Sequence, residues 1–130
     1  MKKNKTKKIF NELIETMFNN WTYDPWIKTV DLNKALNDLK DEIIEFENED
    51  NLNEKNKELG DIVWNCLNLL YVYSKETNQE LEKPIEELIK KMKKRKPYIF
   101  EKTNVDLEEA KRIWKKVKEE EKSQSEKYET

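Results

Sequence analysis

The stretch EKNKELGDIVWNCLNLLYVYSK, residues 54–75, decides the fold. Its apolar residues recur at three- and four-residue intervals, the period of a helix and not the alternation of a strand. It is the most apolar element of the chain, yet it carries a polar strip. At 100° per residue, Glu58, Asp61 and Asn65 fall within about 60° of one another, with Asn68 just beyond. Trp64 and Tyr71, seven apart, stand on a side away from both this strip and the centre of the apolar face. A helix that is apolar on more than one side is buried all round. In so short a chain that predicts a homodimer or a dimer of dimers. The competing reading is that the two rings cover neighbouring helices of the same chain.

Working outward, the segment before it is also helical. Asp31 is placed to cap a helix that runs to about Glu49, with Leu32, Ala35, Leu36, Leu39, Ile43 and Phe46 on one face. Asp50 to Asn53 form a short polar connection. Upstream, Ile9, Phe10, Leu13, Ile14, Met17 and Phe18 make a helical stripe over residues 6 to 19, followed by the aromatic loop NNWTYDPW. Downstream, Pro84 suits the first turn of a fourth helix ending at Lys96-Pro97. The segment YIFEKTN reads as extended. A fifth helix begins near Asp106, with Glu109 three residues on as in a capping box. The chain is therefore expected to be all-α, an antiparallel bundle of four to five helices that oligomerises through the bundle.

Composition narrows the chemistry. The 130 residues suit one domain, 1–130, with a basic arm (1–8) and a polar tail (120–130) expected to fray. Five of the first eight residues are lysine, but Asn11, Glu12 and Glu15 follow where a signal peptide would be apolar. No run is long enough to span a bilayer. With a single cysteine, this reads as a cytoplasmic protein with no membrane partner. Lys+Arg number 26 and Asp+Glu 28, for a net charge of −2, so no stable nucleic-acid complex is expected. There is no histidine, which removes imidazole bases, His-ligated zinc and Ser-His-Asp triads. Any catalysis must come from carboxylates, Lys or Arg, amides and a hard metal ion.

The carboxylates are arranged for such an ion. In the second helix Asp38, Glu42, Glu45 and Glu49 flank the apolar face, with Glu42 nearest its edge. If the second and third helices pack antiparallel, Glu42, Glu45, Glu58 and Asp61 converge. Such a cluster repels itself and raises its own pKa values unless a cation sits in it. Ligands that are all oxygen select Mg²⁺, Mn²⁺ or Ca²⁺. The competing reading is a solvated acidic helix face.

These residues resemble a known family. DEIIE (Asp41 to Glu45) followed by ELGD (Glu58 to Asp61) is similar to the Glu-Glu-x-x-Glu … Glu-x-x-Asp signature of MazG nucleoside triphosphate pyrophosphohydrolases. DPW (Asp24 to Trp26) with Thr29, KMKKRKPYIF (Lys91 to Phe100) and IWKKVKEEEK (Ile113 to Lys122) resemble three further family segments, in the same order. There are departures. Asp41 stands where the family often has Glu, Lys96 and Tyr98 where it often has histidines, and Lys94 in place of the first arginine. A cysteine before Pro25 is missing.

The resemblance implies cleavage of nucleoside triphosphates (NTP or dNTP) between the α and β phosphates, giving monophosphate and pyrophosphate, and a role in clearing non-standard nucleotides. It implies Mg²⁺, with Mn²⁺ as a substitute, held by Glu42, Glu45, Glu58 and Asp61. Asp41 or Glu45 would activate the water. Lys91 and Arg95, four apart on one helix face, would grip the triphosphate. Asn65 would bond phosphate, sugar or base, and Trp21 and Trp26 would stack on a base. The rival readings are a phosphoribosyl-ATP or dCTP/dUTP-type enzyme of the same superfamily, and a non-enzymatic helical interaction module. The only glycine, Gly60, lies within the third helix at a cost of about 1 kcal/mol relative to alanine. A close helix–helix approach would explain it.

Overall fold

The computed structural model describes residues 2–129, and side chains as far as residue 125. Among these residues there are six α-helices, one 3-10 turn and no strand: α1 (Lys2–Tyr23), the turn (Ile27–Thr29), α2 (Leu32–Asn48), α3 (Leu52–Thr77), α4 (Lys83–Arg95), α5 (Pro97–Phe100) and α6 (Leu107–Glu129). No described helix is long and apolar enough to cross a membrane. The all-α expectation holds, with one helix more than the four to five anticipated. The extra one is α5, where YIF was expected to be extended. Pro97 has its φ pre-set for a first helical position and starts a single turn there.

Helix ends follow local chemistry. Asp31 accepts from Lys34 N (2.8 Å) to cap α2, and Asn51 accepts from Glu54 N (3.1 Å) to cap α3. Asn78 closes α3 in the left-handed conformation, φ 55°. Asp106 accepts from Glu109 N (2.8 Å) ahead of α6, but the Glu109 carboxylate turns to Arg112 instead of back to the cap, so the capping box is half made. Helix α1 runs well before residue 6, because lysines are good helix formers and its basic segment contains no breaker. Of the two ends expected to fray, residues 2–8 belong to α1 and 120–129 to α6, while residues 1 and 130 lie outside the described residues.

The chain groups into two compact units, Met1–Leu81 and Glu82–Thr130. In the first, α2 and α3 form an antiparallel hairpin. Lys55 Nζ donates to Phe46 O near the connection, and Leu32 N donates to Glu76 Oε1 (3.0 Å) at the far end. The core of this unit is small: Met17, Trp21, Ile27, Ala35 and Val72, with Leu13, Leu67, Leu69 and Tyr71 packed against it. Trp21 stacks flat on Tyr71 (5.0 Å between ring centroids, 3° between planes) and meets Phe18 edge-on. Tyr71 therefore covers a neighbouring helix of its own chain, and Trp64 also packs against the core. The argument for oligomerisation that rested on these two rings loses that basis.

In the second unit no described residue is fully buried. Its centre is Trp114, with the Arg95 guanidinium 5.0 Å from its ring and Lys96 and Lys118 also over it. Arg95 Nη2 bonds Glu121 Oε2 at 2.7 Å, joining α4 to α6.

Candidate functional site

The antiparallel α2–α3 hairpin brings Glu42 opposite Glu58 and Asp61. Each of the three offers a carboxylate oxygen, and these oxygens lie within 4.8 Å of one another. Glu42 and Glu58 are half-buried and Asp61 is exposed. In two of these residues one carboxylate oxygen, Glu42 Oε2 and Glu58 Oε2, is buried with no hydrogen-bond partner. Unpaired buried carboxylate oxygens are costly. Glu42 shows the strain directly. Its pKa is pushed up to about 7, by burial first, then by the adjoining Glu45 carboxyl and the charges of Asp61 and Glu58. Glu58 is raised too, by burial and then by the charges of Glu45 and Asp61. An all-oxygen, acidic, partly dry cluster with orphaned lone pairs fits a hard divalent cation and offers nothing to a soft one.

Glu45, the fourth expected ligand, lies beside Glu42 and Glu58 but outside the three-way cluster. Asp41 is not brought to it. It is exposed on α2, where its charge acts on Lys34, the ion-pair partner of Asp38.

Glu42 and Asp61 also line one wall of an open cavity of about 300 Å³. Asn65, Asn68 and Trp64 continue that wall along α3, and Asn20, Asp24 and Trp26 close the other side. Asn65 Nδ2 donates to Asp61 O (2.8 Å), which leaves its side-chain oxygen free. Trp26 is 73% exposed, held by the turn in which its backbone N–H donates to Asp24 Oδ1 (3.0 Å). It therefore presents an open ring face at the cavity.

Trp21 needs correcting as a base-stacking residue. It is 7% exposed, with its ring covered by Tyr71 and Phe18, so no base can reach a face of it. Its role at the cavity is indirect: Trp21 Nε1 donates to Asn68 Oδ1 at 3.0 Å. Lys91 and Arg95 belong to the second compact unit. Lys91 is exposed, whereas Arg95 is engaged by Glu121 and Trp114. Gly60 also needs correcting. A Cβ built there meets nothing within 4 Å, so no close helix approach requires glycine.

Asn68 and Asn20 line the cavity without having been expected as site residues. Asn68 stood at the edge of the polar strip, two turns beyond Asp61, and its position was the available signal. Asn20 carried none, since it falls in the NNWTYDPW segment read as a loop, whereas α1 continues through it to Tyr23.

Residues 31–100, from the cap of α2 through α5, match the family model of the MazG nucleotide pyrophosphohydrolase domain, and all four expected carboxylate ligands fall inside that match. The chain is also similar to the crystal structure of a mazG-related protein from Thermotoga maritima. The TM-score is 0.73 and the identity 28%, over 84% of this chain and 98% of that one. No curated protein matches the chain.

Proposed function

The chain belongs to the MazG nucleotide pyrophosphohydrolase family, and on that premise we propose that it hydrolyses nucleoside triphosphates to monophosphate and pyrophosphate in the cavity between α1, α2 and α3. The observation that carries this reading is the convergence of Glu42, Glu58 and Asp61 with two buried oxygens left unpaired. Glu42, Glu58 and Asp61, with Glu45 beside them, would hold Mg²⁺ or Mn²⁺. When bound, such an ion supplies neutralisation of phosphate charge and a lowered pKa for water.

The rest of the work falls to this chain's own side chains. Glu45 lies next to the cluster without belonging to its innermost three, and so has a carboxylate to spare for the attacking water's proton. Water oxygen bonds to phosphorus as the α–β bridging bond breaks, and pyrophosphate leaves with the bridging oxygen's electron pair. Asn65 and Trp26 line the same cavity and would hold the nucleoside. The exposed side of Asp61 leaves the cluster open to the triphosphate.

The test is pyrophosphate release from a mixed pool of ribo- and deoxynucleoside triphosphates with Mg²⁺. The reading expects pyrophosphate and monophosphate in equal amounts. Release of orthophosphate alone, or no release, overturns it. A nucleotide substrate and the exposed, unpaired Cys66 support a cytosolic location.

The apolar faces left uncovered support a homodimer or dimer of dimers. On α1, Phe10 (60%), Ile14 (43%) and Phe18 (52%) are exposed, four residues apart on one helix face that isolated chains rarely leave in water. Light scattering across a dilution series checks this, and a monomer at micromolar concentration contradicts it.

A further inference from the structure

We propose that the side-chain amides of Asn68 and Asn20 form a base-edge subsite in this cavity, which distinguishes nucleoside triphosphates from base-free polyphosphates. The proposal rests on the reading of the cavity as a nucleotide site. The Asn68 amide is held in one orientation. An indole N–H can only donate, and Trp21 Nε1 donates to Asn68 Oδ1 at 3.0 Å. Asn20 Nδ2 approaches the same oxygen at 3.4 Å. Both acceptor positions of Asn68 Oδ1 are thereby used within the chain. Its NH₂ group has no partner among the described residues, and Asn68 lines the cavity. Asn20 is oriented by the same contact. With its NH₂ turned to Asn68, its carbonyl oxygen is left over, and Asn20 lines the cavity as well. Each of the pair therefore has one polar end left over, a donor on Asn68 and an acceptor on Asn20, in the same cavity.

An adjacent acceptor and donor is the complement of that pair, and every Watson–Crick base carries such an edge. A polyphosphate carries none. The spacing along α3 agrees. Asn68 lies seven residues from Asp61, two turns or about 10 Å along the axis, which is the order of the reach from a phosphate across a ribose to a base edge. Asn65 sits one turn from Asp61, and because its NH₂ is committed to Asp61 O, its free oxygen is available to a sugar hydroxyl. Phosphate, sugar and base would follow one another along a single helix face, with Trp26 open at the rim. The fixed donor is what the core supplies: Trp21 is buried, so the acceptor it engages cannot turn outward without stranding an indole N–H.

The experiment measures equilibrium binding, with Mg²⁺, of the α,β-methylene analogues of ATP, GTP, CTP and UTP and of inorganic tripolyphosphate. Wild type is compared with Asn68→Asp and Asn68→Ser. Both substitutions remove the amide NH₂; the aspartate keeps an acceptor for Trp21 without a donor, and the serine leaves only a shorter hydroxyl set back from the base edge. Because the aspartate adds a negative charge that weakens every polyphosphate alike, the readout is the ratio of nucleotide to tripolyphosphate affinity. Wild type is expected to favour the nucleotides, and the substitutions to lower that ratio by about tenfold to a hundredfold. A wild type that binds tripolyphosphate as tightly as the nucleotides overturns the proposal, and so does a ratio unchanged in either folded variant. Pyrophosphate release from the natural nucleotides is scored separately. If wild type shows the nucleotide preference but releases no pyrophosphate, the hydrolytic reading fails and the base subsite stands.

Discussion

The Nε1–H of Trp21 and the Oδ1 of Asn68, 47 residues apart in sequence, are joined at 3.0 Å between α1 and α3. This bond ties the small core of the first unit to the wall of the cavity, because Trp21 is buried and Asn68 is not. Replacing Trp21 with Phe keeps a ring on Tyr71 but deletes the donor and part of the buried volume. A loss of about 1–3 kcal/mol is expected. Urea denaturation checks it, and a midpoint equal to wild type contradicts the core role assigned to Trp21.

Gly60 leads to a prediction of the opposite sign. A methyl group there meets open space, and glycine within a helix carries extra backbone entropy that alanine does not. Gly60→Ala should stabilise by roughly 0.5–1 kcal/mol. Thermal denaturation should show a rise of a few degrees. A lower melting temperature would mean that the position is covered in solution, and would revive the close approach that the single chain does not show.

That Glu42, Glu58 and Asp61 converge as the sequence suggests, while Gly60 and Trp21 do not behave as it suggests, has a physical explanation. Glu42, Glu58 and Asp61 are placed by helical period and by the direction of one short connection, and both are local properties of the sequence. The caps Asp31 and Asn51 fix where α2 and α3 begin, so the facing register follows. The burial of Trp21 depends on Tyr71, which is distant in the chain and reached only after α1 and α3 pack. The same holds for Arg95. Its spacing from Lys91 suggested a phosphate grip, but Glu121 and Trp114, from another helix, engage its guanidinium. The helical basic segment of α1 follows from the good helix propensity of lysine, a local property that its charge alone does not reveal.

The Arg95–Glu121 pair carries its own pH dependence. The guanidinium beside Glu121 holds that carboxyl below the usual range. A lowered pKa in the folded state contributes stability above the unfolded value, near 4.5, and that contribution is lost as pH falls through the folded value. Glu121→Gln should therefore be less stable than wild type at about pH 6, with the two converging as acid protonates Glu121. Denaturation at the two pH values checks this, and a difference that persists unchanged into strong acid would assign the effect to packing instead of charge.

Glu42 should behave in the opposite way, and metal should reverse it. With a folded pKa of about 7 against an ordinary 4.5, Glu42 keeps its proton in the folded chain after the unfolded chain has lost it. The unfolded state then binds fewer protons than the folded state, so stability falls as pH rises through that window. Glu42→Gln removes the titration, whereas Glu87, Glu109 and Glu121 titrate alike in both proteins and cancel in the difference. In metal-free buffer the variant should gain on wild type from about pH 4.5 to 7 and hold that margin above it. Adding Mg²⁺ above pH 7 should raise the melting temperature of wild type and leave the variant nearly unmoved, because the orphaned Glu42 Oε2 that would receive the ion is gone. Chelation should return wild type to its metal-free value. If the two proteins keep a constant separation across pH, with Mg²⁺ and without it, the three-carboxylate cluster is a solvated acidic face and the metal reading of it fails.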